Sequence, residues 1–158
     1  MIVVSDTTPI HYLILTGHES ILPDLFDDVI IPDAVVSEMS HHNAPARIRD
    51  WVSAKPNWAI VRSGSDELLS RIHGLGRGET SAIAIAIEVQ ADAVLLDDRK
   101  AIREADRNGL SILTTFGLLE LASRKSLIDF EQAVKSLSTT NFHLPPDKIV
   151  QEYLRRNR

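Results

Sequence analysis

Two short apolar runs in this chain are each followed at once by an acid: Ile2-Val3-Val4-Ser5 by Asp6, and Val94-Leu95-Leu96 by Asp97-Asp98. Two further acids stand on stretches that read as helices beginning after such runs. Glu38 falls about two turns beyond Pro32, and Glu79 falls in the first turn after Gly76-Arg77-Gly78. If the runs are strands of an open parallel sheet, their carboxyl ends share the edge where such sheets bind ligands. Four carboxylates gathered there cannot all stay ionised unless they share protons or bind cations. Oxygen-only ligands select Mg2+ or Mn2+ over zinc or copper. A divalent ion so held lowers the pKa of a bound water and can offset negative charge developing on a substrate, so the chemistry these residues could do is metal-assisted hydrolysis. It needs no histidine as base.

Each of these residues also has a plainer reading. Asp6 could cap a helix containing Ile10, Leu13 and Ile14. Glu38 could be an ordinary exposed helix residue, and Glu79 could favour the positive end of its helix. Asp97 and Asp98 compete for one ligand role, and the other should cap the next helix; the stretch from Glu79 suits a helix of about three to four turns returning to a strand, which favours Asp97. His41-His42 invites a metal reading, but adjacent residues point apart and no third ligand lies at helical spacing, so a polar loop is the better account. Arg99, Arg103 and Arg107 fall along one helix face, ordinarily a solvated stripe. Arg99, nearest the acids, is the best of them for a phosphate contact.

The elements that must position these acids can be read from the same string. β-Branched runs at Ile2–Val4, Val29–Ile31, Ala59–Val61, Ala93–Leu96 and Ser111–Leu113 are separated by stretches long enough for one or two helices, which predicts a mostly parallel sheet covered on both faces. Pro32-Asp33 opens a helix through Glu38, Asp98 can cap one that Gly109 closes, and Pro145-Pro146-Asp147 starts a C-terminal helix over about 146–156. Ser81-Ala82-Ile83-Ala84-Ile85-Ala86-Ile87 alternates with period two, yet the stretch from Gly78 to Gln90 is long for a strand and rich in alanine, so a buried helix is expected. Phe116-Gly117-Leu118-Leu119-Glu120-Leu121 offers more apolar area than a small sheet needs, which suggests a homodimer surface.

At 158 residues, without repeats or low-complexity tracts, one domain is expected, and no cysteine is present for disulfides, thiolate metal sites or a thiol nucleophile. The opening Met1–Asp6 has neither a basic segment nor a long apolar run, so a cytoplasmic protein without signal peptide or membrane span is the expectation. With 22 acidic against 17 basic residues the net charge is −5, so nucleic acid cannot be held by bulk attraction; contact must be local or bridged by cations. Aromatics, at 5%, do not cluster into a base-stacking platform.

Four separated motifs carry a resemblance: Val3-Val4-Ser5-Asp6-Thr7-Thr8-Pro9-Ile10; Ile30-Ile31-Pro32 followed by Glu38; Gly78-Glu79-Thr80-Ser81-Ala82-Ile83-Ala84; and Leu95-Leu96-Asp97-Asp98-Arg99. In order and context, over nearly the whole chain, they resemble the PIN domain, in the branch of VapC-like toxins. The resemblance implies a three-layer α/β/α nuclease fold, Mg2+ or Mn2+ dependence, RNA as substrate, and often homodimerisation and a small antitoxin partner. Asp6 matches the first acid of the family, Glu38 the second and Asp97 the fourth. The third is commonly aspartate in VapC-like proteins and is Glu79 here, one methylene longer, which leaves open whether it holds an ion directly or through water and whether a second ion binds. Thr7 and Thr8 match the hydroxyl residues after the first acid and could orient a carboxylate, a water or the substrate. Asp6, Glu79 and Asp97 should therefore approach closely enough to share an ion, directly or through water, with Glu38 lining the same pocket. Two other readings compete: a PIN-like fold kept only for protein binding, and a phospho-acceptor signalling domain. The latter needs an acidic pair after its first strand and an acceptor aspartate after its third, whereas Ala59-Ile60-Val61-Arg62 ends without an acid.

Overall fold

Every β-branched run anticipated as a strand forms one, because each is too short to build a helix and has a paired neighbour on at least one side. The strands are β1 (Ile2–Ser5), β2 (Asp28–Pro32), β3 (Ala59–Arg62), β4 (Ala93–Leu95) and β5 (Ile112–Leu113). In this computed structural model, which describes residues 1–158, they pair in parallel throughout, in the order β3-β2-β1-β4-β5. Val4 lies opposite Ile30 on one side and Val94 on the other. The chain moves outward from β1 to β3, then returns to the far flank of β1 to lay down β4. That reversal opens a crevice at the carboxyl ends of β1 and β4, the place where a sheet of this type can admit a ligand.

Side chains alternate across the sheet, and the two faces carry separate cores. Val3, Val29, Ile31 and Leu95 point into one, against α1 (Thr7–Thr16), α8 (Thr115–Arg124) and α9 (Phe130–Ser138). Val4, Ile30 and Val94 point into the other, against α6 (Arg77–Val89) and α7 (Arg99–Arg107). The result is the expected three-layer α/β/α arrangement. Shorter helices fill the crossovers: α2 (Ile21–Leu25), α3 (Asp33–Met39), α4 (Ala46–Ser53) and α5 (Asp66–Arg71).

The alternating stretch in α6 is helical, as its alanines require, and its burial explains the misleading period. Ser81 through Ala86 are all at most 6% exposed, because α6 packs on the sheet and is flanked by α3, α5 and α7. A helix buried on nearly every side has no polar face to mark a 3.6-residue period.

Most of the apolar run on α8, expected to offer a dimer surface, is buried within the chain itself. Phe116, Leu118 and Leu119 are at most 3% exposed. The Phe116 ring meets Phe130 at 6.0 Å, Phe142 at 6.3 Å and Tyr153 at 5.4 Å. Tyr153 belongs to α10 (Asp147–Arg156), so the chain covers this surface with its own C-terminal segment. Glu120 fastens that segment: Arg156 donates to it at 2.6 and 3.0 Å, and Asn157 Nδ2 at 2.6 Å. No helix is long and apolar enough to cross a membrane.

Candidate functional site

Asp6 is placed by two pieces of backbone. It ends β1, and its own N–H donates to the carbonyl of Leu95 at 3.1 Å, which ties it to the carboxyl end of β4. It stands at the N-cap position of α1 with extended backbone, yet its side chain makes no capping hydrogen bond. The plainer reading of Asp6 as a cap is therefore incorrect. The residue is 5% exposed. Burial, followed by the charges of Glu79, Glu38 and Asp97, pushes its carboxyl up to about 7 against a single opposing contact from the Thr7 backbone. No cationic side chain offsets it.

Glu38 arrives from α3, about two turns past the end of β2, and two donors hold it against Asp6. The Thr7 hydroxyl donates to one oxygen at 2.5 Å and the Gly78 N–H to the other at 3.2 Å. Gly78 is the residue that permits this closeness, and sequence reasoning missed its role. A Cβ at that position would lie 3.0 Å from Asp6 Oδ1, 3.0 Å from Thr7 Oγ1 and 3.1 Å from Glu38 Oε1. The only signal was a glycine inside the first turn of a helix, where it costs helix stability unless something needs the space.

Glu79 follows in the same turn and accepts from the Gly76 N–H at 3.3 Å, so its expected affinity for the helix start is realised as the one half of a capping box that a glycine N-cap allows. Burial raises its pKa, and the charges of Asp98 and Glu38 add to that. Asp97 accepts from the Thr115 N–H at 2.9 Å and from the Thr115 hydroxyl at 2.6 Å. Burial lifts its pKa in spite of both donors. Thr115 was not foreseen either; it is fully buried at the start of α8, next to no charged residue in sequence. Asp98 caps α7 through the Ala101 N–H at 3.1 Å, the role anticipated for whichever of the pair was not the ligand.

All four acids thus lie at the carboxyl end of the sheet, around the crevice between β1 and β4. As the side chains stand, no three His, Asp or Glu residues form a ready-made ion cage. Glu38, Glu79 and Asp97 each accept hydrogen bonds from within the chain. Asp6, desolvated, surrounded by acids and without a cation, is the group whose charge remains unanswered. A hard divalent ion fits that donor chemistry.

Thr8 is half-buried on α1, and the carboxylate-orienting work falls to Thr7. On α7, Arg99 and Arg103 are exposed and Arg107 pairs with Glu104 at 2.8 Å. His41 and His42 lie in an exposed turn with rings 4.2 Å apart, and His41 Nδ1 accepts from the Asn43 N–H at 3.1 Å, which agrees with a polar loop.

A five-stranded parallel sheet between two helical layers, with acids collected where its strand order reverses, defines a PIN-like nuclease fold. The family DUF3368, described as PIN domain, matches residues 2–157, and the chain belongs to it. PIN domains are generally metal-dependent nucleases. Among solved structures, the chain is similar to a PilT N-terminus domain protein from the hyperthermophilic archaeon Sulfolobus solfataricus P2, at 20% identity and a TM-score of 0.53. The match covers 91% of this chain and 100% of that one, and it supports the fold. No curated protein sequence matches significantly.

Proposed function

We propose that this protein is a divalent-metal-dependent endoribonuclease that hydrolyses RNA phosphodiester bonds and serves as the toxin of a toxin–antitoxin pair. The observation that carries the nuclease reading is Asp6: a buried carboxylate near three other acids, with no capping role and no cationic partner. A bound Mg2+ or Mn2+ supplies charge neutralisation at the scissile phosphate and acidifies a water. Asp6 and Asp97 would hold the ion from adjacent strand ends, with Glu38 and Glu79 bordering it directly or through water. Asp98 is occupied as a helix cap, which favours Asp97 as the ligand. Thr7 and Thr115 act on the carboxylates rather than on substrate, fixing Glu38 and Asp97 in orientation. Arg99, in the first turn after Asp98, supplies a local phosphate contact that the net charge of −5 makes necessary.

The experiment is cleavage of a single-stranded RNA panel with Mg2+ or Mn2+ by wild type and Asp6→Asn. Loss of cleavage with an intact fold is the expected result; equal activity in both proteins overturns the metal-site assignment. Inactivity of both under all conditions favours the alternative, a PIN fold that only binds protein. A phospho-acceptor role is disfavoured because β3 lies at the sheet edge, away from Asp6, and carries no acid at its end.

The toxin role rests on the resemblance of the four motifs to VapC-like proteins. It predicts growth arrest on expression, relieved by a small protein encoded beside this one. Homodimerisation and a cytoplasmic location belong to the same proposal. Any dimer must use a surface other than the buried face of α8.

A further inference from the structure

Beside the acids, a cleft of about 480 Å3 opens between the start of α3, the segment after β3 and the start of α6. Its polar lining is mixed in sign: Asp33 and Asp66 present carboxylates, Ser63 a hydroxyl and Arg77 a guanidinium, while Leu69 and Leu75 supply apolar surface. We propose that this cleft seats one unstacked nucleobase of the RNA next to the scissile phosphate and prefers guanine. The proposal rests on the nuclease reading and names its specificity subsite.

The position follows from the helices. Ala34 lines the cleft, and Glu38 stands one turn further along α3. Arg77 lines it too, and the next residue, Gly78, donates to Glu38. The cleft and the carboxylate cluster are therefore neighbours across the α3–α6 seam. A base entering one places its own or the adjoining phosphate near the other.

The chemistry selects the base. Sequence-specific recognition of RNA works mainly on unstacked bases, through hydrogen bonds to their edges. Asp33 is oriented in advance: it accepts from the Ala34 N–H at 2.8 Å and the Ser63 hydroxyl at 2.7 Å. An ionised carboxylate has about four acceptor positions, so lone pairs remain for a ligand. Guanine alone among the four bases sets two donors side by side on its Watson–Crick edge, N1–H and N2–H2, which match the two oxygens of a carboxylate. Its O6 and N7 are acceptors that suit an arginine, here Arg77. Uracil presents a single N–H between two carbonyls and would set at least one oxygen against a carboxylate. The guanidinium also disfavours a cationic peptide as occupant, and the two carboxylates disfavour a bare phosphate.

The test has two arms. In the first, amide shifts of the wild-type protein in Mg2+ are followed during titration with GMP, AMP, CMP and UMP. All four carry the same phosphate, so differences among them read the base. GMP should shift Ser63, Gly64 and Thr80 and bind about tenfold more tightly than UMP. Asp33→Asn, which keeps the size and capping ability of the side chain, should abolish the preference, and Ser63→Ala should weaken it. Equal shifts by all four nucleotides, no shifts at the cleft, or stronger shifts there by an arginine-bearing peptide overturn the proposal. In the second arm, cut sites in a randomised single-stranded RNA are mapped for wild type and Asp33→Asn. Enrichment of guanine next to the cut in wild type alone supports the subsite. Cleavage with the same base distribution in both proteins overturns it while leaving the nuclease reading standing. A guanine preference in the first arm from a protein that cuts nothing supports the base site and counts against the nuclease instead.

Discussion

Asp6 carries opposite consequences for activity and stability. Without a divalent ion, its carboxylate is buried beside other acids, so Asp6→Asn should stabilise the protein in EDTA at neutral pH by about 2–4 kcal/mol. The sign follows from linkage. An acid whose folded pKa is raised from 3.8 to about 7 binds its proton more tightly in the native state. Its penalty is therefore absent below about pH 4, grows as pH rises, and is complete above about 7. Thermal melts of both proteins in EDTA from pH 4 to 8 should diverge in that sense, and parallel curves would count against the burial argument. Gly78→Ala tests the close approach. An alanine there should favour the helix by about 1 kcal/mol, yet its methyl would press on Asp6, Thr7 and Glu38, so melting should change little while cleavage falls sharply. Thr115→Val keeps the shape but removes the hydroxyl that holds Asp97; cleavage should fall roughly 10–100-fold, with the apparent Mg2+ requirement rising.

Among the elements, α10 is held by apolar contacts of Val150, Tyr153 and Leu154 and fastened at its end by one carboxylate on α8. Glu120 receives Arg156 through two nitrogens, the Asn157 amide, and Arg124 at 3.6 Å; burial pushes its carboxyl up, but these hydrogen bonds and the two guanidinium charges hold it below its usual range. Glu120→Gln should loosen α10, raising amide exchange over 147–156 while leaving the sheet protected, at a cost of about 1–2 kcal/mol. Uniform protection in the variant would show that the contact of Tyr153 with Phe116 is sufficient by itself. For α6, composition decided between strand and helix where periodicity pointed the wrong way. Alanine favours a helix locally, and burial on all sides removed the polar face that would have revealed it.

For the molecule as a whole, the acids impose a cost that a bound cation would remove, so on the proposed function wild type should melt higher in Mg2+ than in EDTA. At a hundredfold excess over Kd the gain is about 2.7 kcal/mol, a rise of roughly 5–11 °C for a domain of this size. Asp6→Asn should lose most of that rise. Identical melts of wild type with and without Mg2+ or Mn2+ would oppose the proposed metal centre. On the proposed function, the net charge of −5 means that an RNA substrate would be met by local contacts such as Arg99 or through a bound cation.

Much of this protein is determined by local sequence. The β-branched runs, the caps at Asp98 and Pro146 and the alanine-rich helix each depend on a few adjacent residues, and the order of runs and helices suffices for a parallel three-layer sheet. The acids themselves were legible because strand ends in such a sheet converge whatever the detailed packing. What the sequence could not determine involves residues distant along the chain. Gly78 matters because Asp6 and Glu38 come within about 3 Å of its missing side chain. Thr115 matters because β5 delivers α8 beside Asp97. The apolar face of α8 looked available for a partner until Phe142 and Tyr153 returned to cover it. Composition and spacing record which groups a segment offers, whereas contact across the sheet decides which of those groups are still free once the chain has closed on itself.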